Sequence, residues 1–137
     1  MKIRKAYLDI DWVILTKKDT RQADYLYEFI STVTQLFDCY WLTTRCKWDS
    51  EVLIRHLSDD LDENIMEKIK DIKPTNWQDL KTEAIDMTND FLWFDDCPFQ
   101  AEIEELKSNG KLKNLVIVDL NRTDELKTII KNCLLQK

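Results

Sequence analysis

Hydrophobic positions along the chain form short runs separated by helical patterns. Four runs, each a few residues long, are rich in aromatic or β-branched side chains: Ala6–Ile10, Cys39–Thr43, Phe91–Phe94 and Leu115–Val118. They are continuous rather than alternating with polar residues, which is typical of strands buried on both faces of a sheet. The pattern therefore predicts four buried strands.

Helical periodicity fills the segments between these runs. From Tyr25 to Phe37, apolar residues recur three and four positions apart and share one helix face. Further helices are predicted after Asp49–Ser50, from a cap at Thr75 or Asn76 to about Ile85, at about Phe99–Lys107 and at about Asp124–Leu135. The pattern leaves open whether another strand forms around Ile72.

Strands that alternate with helices predict an α/β fold. We expect a three-layer, Rossmann-like arrangement in which helices cover both faces of a small, mainly parallel sheet. A chain of 137 residues suits a single domain, residues 1–137, with one core. Ligands of such sheets bind beyond the carboxyl ends of the strands, so the residues at those ends are the first candidates for a site.

Acidic and hydroxyl residues follow three of the predicted strands. They are Asp9 and Asp11, Asp95 and Asp96, and Thr43 and Thr44. A period of two along an extended chain puts Asp9 and Asp11 on the same side. If the strands are neighbours, four carboxylates converge, and they repel one another unless a cation lies among them. Oxygen ligands without His or Cys favour Mg²⁺ over zinc.

Composition narrows the chemistry further. Gly110 is the only glycine and His56 the only histidine, which excludes glycine-rich phosphate loops and zinc sites that need two imidazoles. A net charge of −6 argues against nucleic acid as a partner. Asp9 and Asp11 interrupt the apolar stretch of the N-terminal segment, so this segment is predicted to be neither a signal peptide nor a membrane span. We expect a soluble, cytoplasmic protein.

Several of these segments resemble one known family. Tyr7-Leu-Asp-Ile-Asp-Trp-Val is similar to motif I, hhhDxDG[TV], of the haloacid dehalogenase (HAD) superfamily. Tyr40–Thr43 resembles its motif II, Lys81 is placed like the lysine of motif III, and Phe91–Asp96 resembles motif IV in its DD form. The resemblance covers residues 5–98. The motif sequences are most similar to those of small HAD-like domains associated with RNA-repair proteins. The segments between the motifs are too short for a large cap domain.

The resemblance implies a phosphohydrolase, or phosphatase, that acts through an aspartyl-phosphate. Asp9 would be the nucleophile and Asp11 the general acid and base. Thr43 would hydrogen-bond a phosphoryl oxygen, and Lys81 would neutralise negative charge.

The same resemblance implies a Mg²⁺ cofactor. Asp9, the main-chain carbonyl of Asp11 and Asp95 would bind the ion, with Asp96 close by. The expected partner is a phosphorylated substrate, which an uncapped site allows to be large. Thr44 and Arg45 are candidates to contact it.

Trp12 departs from the family pattern, because it stands where motif I has glycine. Three interpretations stay open: the indole packs against the first helix, it forms a substrate wall that stacks on a base, or it blocks catalysis. The alternatives to a phosphatase of unknown substrate are therefore a catalytically impaired HAD-like binding module and a polynucleotide-end phosphatase. The sequence does not indicate the oligomeric state.

Overall fold

The computed structural model describes residues 4–16, 21–44 and 50–135 and contains a four-stranded parallel sheet. Its strands are β1 (Lys5–Leu8), β4 (Asp38–Trp41), β5 (Phe91–Asp95) and β6 (Leu115–Ile117), in the order β4-β1-β5-β6. All three pairings are parallel. The four predicted strands are thus confirmed, with ends that differ by at most two residues.

A two-stranded hairpin, β2 (Leu15–Thr16) with β3 (Arg21–Gln22), forms a separate small sheet. The Gln22 side chain joins it to the start of a later helix: its amide donates to Asp62 Oδ2 over 3.0 Å, and its carbonyl accepts from the Asp62 N–H over 2.9 Å. The apolar pattern did not predict this hairpin, because strands of two residues leave no readable period.

Helices pack against both faces of the four-stranded sheet. The α-helices are α1 (Leu26–Leu36), α2 (Ser50–Leu57), α3 (Glu63–Ile69), α4 (Gln100–Ser108) and α5 (Glu125–Ile129). Single 3₁₀ turns occupy Lys81–Ala84 and Leu112–Asn114, and a π-helical turn, Ile130–Leu134, follows α5. An α/β fold is confirmed, and its layering is compatible with the predicted arrangement.

The larger part of the core lies on one face of the sheet. Alternate strand residues, among them Leu8, Trp41 and Phe94, pack there with apolar residues of α1, α2, α3 and α5. The rings of Phe29 and Phe94 meet edge to face, with centroids 5.2 Å apart. Burial of these large side chains stabilises the packing of α1 against the central strands.

The opposite face is covered by α4 and by the segment that precedes β5. The strand residues Tyr7 and Trp93 pack there with Trp77, Ile85 and Leu106. The Tyr7 hydroxyl accepts a hydrogen bond from the Asp86 N–H over 3.1 Å, which ties the end of this segment to β1. Earlier in the segment, Lys81 lies at the carboxyl ends of β1 and β5.

The helix predicted from Thr75 or Asn76 to Ile85 is wrong. The Thr75 hydroxyl caps no helix but donates to the Trp41 carbonyl over 2.7 Å, which holds its segment beside β4. The carboxylate of Glu83 accepts the N–H groups of residues 78–80 at 3.0 to 3.1 Å. These donors are satisfied without a continuous helix, so only the 3₁₀ turn Lys81–Ala84 forms.

Around Ile72 the chain makes a single bridge to the edge of the sheet. The Trp41 N–H donates to the Lys73 carbonyl over 2.8 Å, and the Lys73 N–H donates to the Cys39 carbonyl over 3.1 Å. This Tyr40–Lys73 bridge is isolated, so the segment does not form a fifth strand of the sheet. Among the residues described, no helix combines the length and the apolarity needed to cross a membrane.

Candidate functional site

The register of the two central strands brings Asp9 and Asp95 together. Leu8 pairs with Phe94, and the Asp9 N–H donates to the Phe94 carbonyl over 3.1 Å. Each acid lies two residues beyond a large aromatic residue of the α4-covered face, Tyr7 or Trp93, and so points toward that same side. Both are buried, with 8% and 2% of their surface exposed, respectively.

Lys81 reaches both carboxylates from the 3₁₀ turn Lys81–Ala84. Its Nζ lies 3.0 Å from Asp9 Oδ2 and 2.7 Å from Asp95 Oδ2, and its side chain is 13% exposed. The replacement of a long helix by this short turn matters here, because the turn carries the ammonium over the strand ends. The three residues form one ion-paired cluster.

Main-chain donors fix the orientation of both carboxylates. Asp9 Oδ1 accepts the N–H of Ile10 over 2.8 Å, and Asp95 Oδ1 accepts the N–H of Cys97 over 3.0 Å. Each carboxylate therefore uses one oxygen for the backbone and the other for Lys81. Such charge-assisted hydrogen bonds hold both side chains in a defined geometry.

Asp96 completes a trio of carboxylates. One oxygen each from Asp9, Asp95 and Asp96 lie within 4.8 Å of one another, while Asp96 itself is only half-buried. Two oxygens bound to one Mg²⁺ at its usual distance of about 2.1 Å are at most about 4.2 Å apart. Neighbouring oxygens in an octahedral site are only about 3.0 Å apart, so the trio would have to draw together by up to about 2 Å to surround such an ion.

The charges of the cluster also fit a divalent cation. Three ionised carboxylates carry three negative charges, and Lys81 offsets one of them. A divalent ion would offset the other two. Carboxylate oxygens without imidazole or thiolate are the ligands that Mg²⁺ prefers.

Two of the carboxyl groups have raised pKa values. Burial, together with the charge of Asp95, raises the pKa of Asp9 from 3.8 to about 6, against the opposing effect of Lys81. Burial and the charge of Asp95 also raise the pKa of Asp96. Burial alone would lower the pKa of Lys81, but the charges of Asp9 and Asp95 raise it above the ordinary value. One ammonium is therefore not enough to balance the acidic groups.

Asp11 is not part of the trio, contrary to the expectation that four carboxyl groups would meet. The chain turns sharply after Asp9: the Ile10 carbonyl accepts the N–H groups of Val13, Ile14 and Leu15 at 2.9 to 3.2 Å. The period of two stops at this turn, so strand geometry no longer places Asp11 beside Asp9, and its carboxylate is outside the trio. Its charge is still close enough to contribute to the raised pKa of Asp96.

Trp12 occupies the same turn in a left-handed backbone conformation, with φ of 65°. Its N–H donates to the Leu15 carbonyl over 2.8 Å, which closes the turn. This is the conformation that glycine adopts without strain, and a residue with a Cβ adopts it at a cost of about 1 kcal/mol. Trp12 therefore holds a backbone conformation that glycine favours.

Thr43 lies just beyond β4 and is fully buried. The preceding residue is tied to β1, because the Leu42 N–H donates to the Leu8 carbonyl over 2.8 Å. Thr43 thus follows the carboxyl end of the strand next to the one that leads into Asp9. Thr44 is exposed, and Arg45 lies outside the residues that the structure describes.

Glu102 supports the site by accepting main-chain hydrogen bonds, and the sequence pattern did not identify it as a site residue. It is 2% exposed, and its two oxygens accept the N–H of Phe99 over 2.8 Å and the N–H of Lys81 over 2.7 Å. It joins the start of α4 to the turn that carries the ammonium. A glutamate at the third position of a predicted helix is a recognisable capping signal, but only tertiary structure reveals its second bond.

Comparison with known proteins finds no matching family model, no matching curated protein and no matching solved structure. The interpretation of the site therefore depends on its geometry. A surface depression of about 590 Å³ is lined by residues such as Ser31, Asp38 and Glu67, far from the carboxyl ends of the strands. It contains none of the acidic trio and is not the candidate site.

Proposed function

We propose that this chain is a Mg²⁺-dependent phosphohydrolase with a Rossmann-like, HAD-like fold and with Asp9 as its nucleophile. The observation that supports this most directly is the Lys81 ammonium, which contacts Asp9 and Asp95 at 3.0 and 2.7 Å. It holds a carboxylate nucleophile beside a second carboxylate at the carboxyl ends of adjacent parallel strands. Ligands of α/β sheets bind at that edge.

In the first step, an oxygen of Asp9 attacks the phosphorus of a phosphate monoester. The bond from phosphorus to the leaving oxygen breaks, and Asp11 gives that oxygen its proton. The products are an alcohol and a phosphoryl group carried on Asp9. The Lys81 charge offsets the repulsion between the anionic carboxylate and the anionic phosphate, and Thr43 donates a hydrogen bond to a phosphoryl oxygen.

In the second step, water attacks the same phosphorus and loses a proton to Asp11. The bond from phosphorus to Asp9 breaks, which releases inorganic phosphate and restores the carboxylate. The Asp9 Oδ1 hydrogen bond to the Ile10 N–H, 2.8 Å long, keeps the other oxygen oriented through both steps.

Asp9, Asp95 and Asp96, with the main-chain carbonyl of Asp11, are the groups we expect to hold Mg²⁺. The ion would supply positive charge against the phosphoryl oxygens. The remaining groups of the site work through their own charges and hydrogen bonds. Removing the ion should leave three carboxylates offset only by Lys81, with weaker phosphate binding as the result.

The described segments between the motifs contain only the hairpin, helices α1 to α3 and the 3₁₀ turn. This supports an open, uncapped site that accepts a phosphate on a large molecule. The net charge of −6 disfavours polynucleotide ends. The left-handed backbone at Trp12 is one that glycine favours, which supports the enzyme over the impaired binding module.

A phosphatase assay with para-nitrophenyl phosphate and Mg²⁺ tests the proposal. We expect Asp9→Asn to lower kcat at least about a hundredfold, because an amide cannot attack phosphorus. Asp59→Asn is the matched control, since this exposed aspartate lies in the turn after α2, and it should keep full activity. Equal turnover by the wild type and Asp9→Asn would overturn the mechanism.

Metal binding is tested separately by thermal unfolding. Mg²⁺ at about one hundred times its Kd should stabilise the wild type by about 2.7 kcal/mol. Asp95→Asn should abolish this stabilisation and Asp59→Asn should retain it. Mg²⁺ binding without turnover would support the impaired binding module instead of the enzyme.

A further inference from the structure

A cleft of about 290 Å³ adjoins the acidic trio. Asp96 lines the cleft and also belongs to the trio. A phosphate bound at the trio would therefore lie at one end of the cleft. Trp12 lines it on one side, and Ile117, Leu120 and Arg122 line it on the other. Its volume is close to the lower limit of ordinary ligand pockets and suits a group of one or two rings.

Trp12 lines this cleft with an aromatic side chain, although its backbone conformation is unfavourable for a residue with a Cβ. At φ of 65° its left-handed turn would be more stable with glycine or asparagine. Trp12 directly follows Asp11, the group that we assign to protonate the leaving oxygen. It also lines the same cleft as Asp96 of the acidic trio.

Arg122, the positively charged residue of the cleft lining, is already paired. Arg122 lies 3.6 Å from Asp119 and 3.8 Å from Glu125, and its side chain is 70% exposed. It therefore brings no unbalanced positive charge that would attract a second anionic group. Ile117, 48% exposed, adds an apolar surface opposite the indole. Since Asp96 and Asp119 also line the cleft, an uncharged, flat ring fits these walls better than a second anionic group.

We propose that the cleft between Trp12 and Ile117 binds the leaving group of the substrate, and that this group is an uncharged planar aromatic ring such as a phenyl group or a nucleoside base. This inference rests on the proposed phosphohydrolase function and specifies its substrate class. The ring stacks on the indole while the phosphate lies at the trio. The open outer side of the cleft allows the ring to belong to a larger molecule.

Two phosphate monoesters of equal size test the inference: benzyl phosphate and cyclohexylmethyl phosphate. Both have alkoxide leaving groups of similar basicity, but only the first has an aromatic ring. The wild type should favour benzyl phosphate in kcat/KM by about 2- to 10-fold, the range expected for one aromatic pair. Trp12→Leu, which keeps apolar bulk but loses the ring, should bring that ratio close to one.

Tyr25→Leu is the matched control. Tyr25 is also a partly exposed aromatic residue with a left-handed backbone, φ of 64°, but it does not line the cleft. Its replacement should leave the ratio unchanged. An unchanged ratio in Trp12→Leu would overturn the inference while the phosphohydrolase function stands. Turnover of adenosine 5′-monophosphate that exceeds that of benzyl phosphate and requires Trp12 would assign the ring to a nucleoside, and slower turnover would assign it to a phenyl group.

A phosphate-free measurement separates this inference from the proposed function. Adenosine and benzyl alcohol are titrated into ¹⁵N-labelled protein, and the Trp12 indole N–H signal is identified by its loss in Trp12→Leu. A saturating shift of that signal supports the aromatic cleft even if no phosphatase activity is found. No shift with either compound, together with no aromatic preference in turnover, overturns the inference.

Discussion

The Lys81 ammonium donates a hydrogen bond to Asp9 Oδ2 over 3.0 Å, although 72 residues separate the two along the chain. Both side chains are largely buried, so the interaction is only weakly screened by water. It links the 3₁₀ turn of one segment to the end of the central strand. Changes to either residue should therefore alter both stability and chemistry.

Replacement of Lys81 by Met removes the charge and keeps much of the apolar stem. Without the ammonium, Asp9 and Asp95 are buried without a counter-charge. We expect a loss of about 2–4 kcal/mol in the unfolding free energy of the metal-free protein at neutral pH. We also expect phosphatase activity to fall at least about a hundredfold. Lys107→Met, at an exposed ion pair with Glu104, should change stability by less than about 0.5 kcal/mol. Equal stability of the two variants would contradict the role given to Lys81.

Glu102→Gln tests how the turn that carries Lys81 is held in place. The glutamate accepts two main-chain N–H groups, and a glutamine side chain has only one oxygen to offer them. We expect a loss of about 1–3 kcal/mol, measured by urea unfolding. In the phosphatase assay kcat should fall about tenfold, because the Lys81 ammonium is displaced from Asp9 and from the phosphate. Glu104→Gln, an exposed change on the same helix, is the control and should match the wild type.

The stability of the metal-free protein should fall as pH rises from 4 to 6. The pKa of Asp9 is raised from 3.8 to about 6 in the folded state, so the folded protein binds this proton more tightly than the unfolded chain. The resulting stabilisation is fully present below pH 4 and lost as pH approaches 6, and it amounts to at most about 3 kcal/mol. Unfolding by urea at several pH values measures it. Asp9→Asn should lack this decline, and parallel curves for the two proteins would exclude the raised pKa.

The left-handed turn at Trp12 predicts an unusual order of stability. With φ of 65°, Trp12→Gly should be more stable than Trp12→Ala by about 1 kcal/mol. At Glu104, within α4, the order should be reversed by a similar amount, because glycine is a poor helix former. Thermal unfolding of the four variants provides the comparison. Trp12→Ala as stable as Trp12→Gly would show that the turn is not left-handed in solution.

The sheet and the central pair of acids could be predicted from the sequence. Continuous apolar runs identified all four strands, and acidic residues at the ends of two of them indicated that Asp9 and Asp95 would meet. This inference works because parallel pairing brings equivalent strand ends to the same edge of a sheet. The position of Lys81 was predicted from a family resemblance, and the structure places its ammonium between those two acids.

The turns and their side-chain bonds could not be predicted in the same way. Threonine commonly caps helices, but the Thr75 hydroxyl donates a hydrogen bond to a carbonyl of the neighbouring strand instead. The period of two does not extend to Asp11, because the chain turns where three N–H groups converge on the Ile10 carbonyl. Glu102 showed a local capping signal, whereas its bond to the Lys81 N–H joins residues 21 positions apart. In each case a tertiary hydrogen bond overrides the local pattern.

The direct pairing of β1 with β5 also determines when the site can form during folding. The two strands are more than 80 residues apart, and Asp95 reaches Asp9 only after this long-range pairing is complete. Contacts between such distant segments form late, because a long loop must first close. The Mg²⁺ affinity that we propose should therefore arise in the last stage of folding. A stopped-flow experiment that follows ion uptake during refolding would report the moment at which the central strands join.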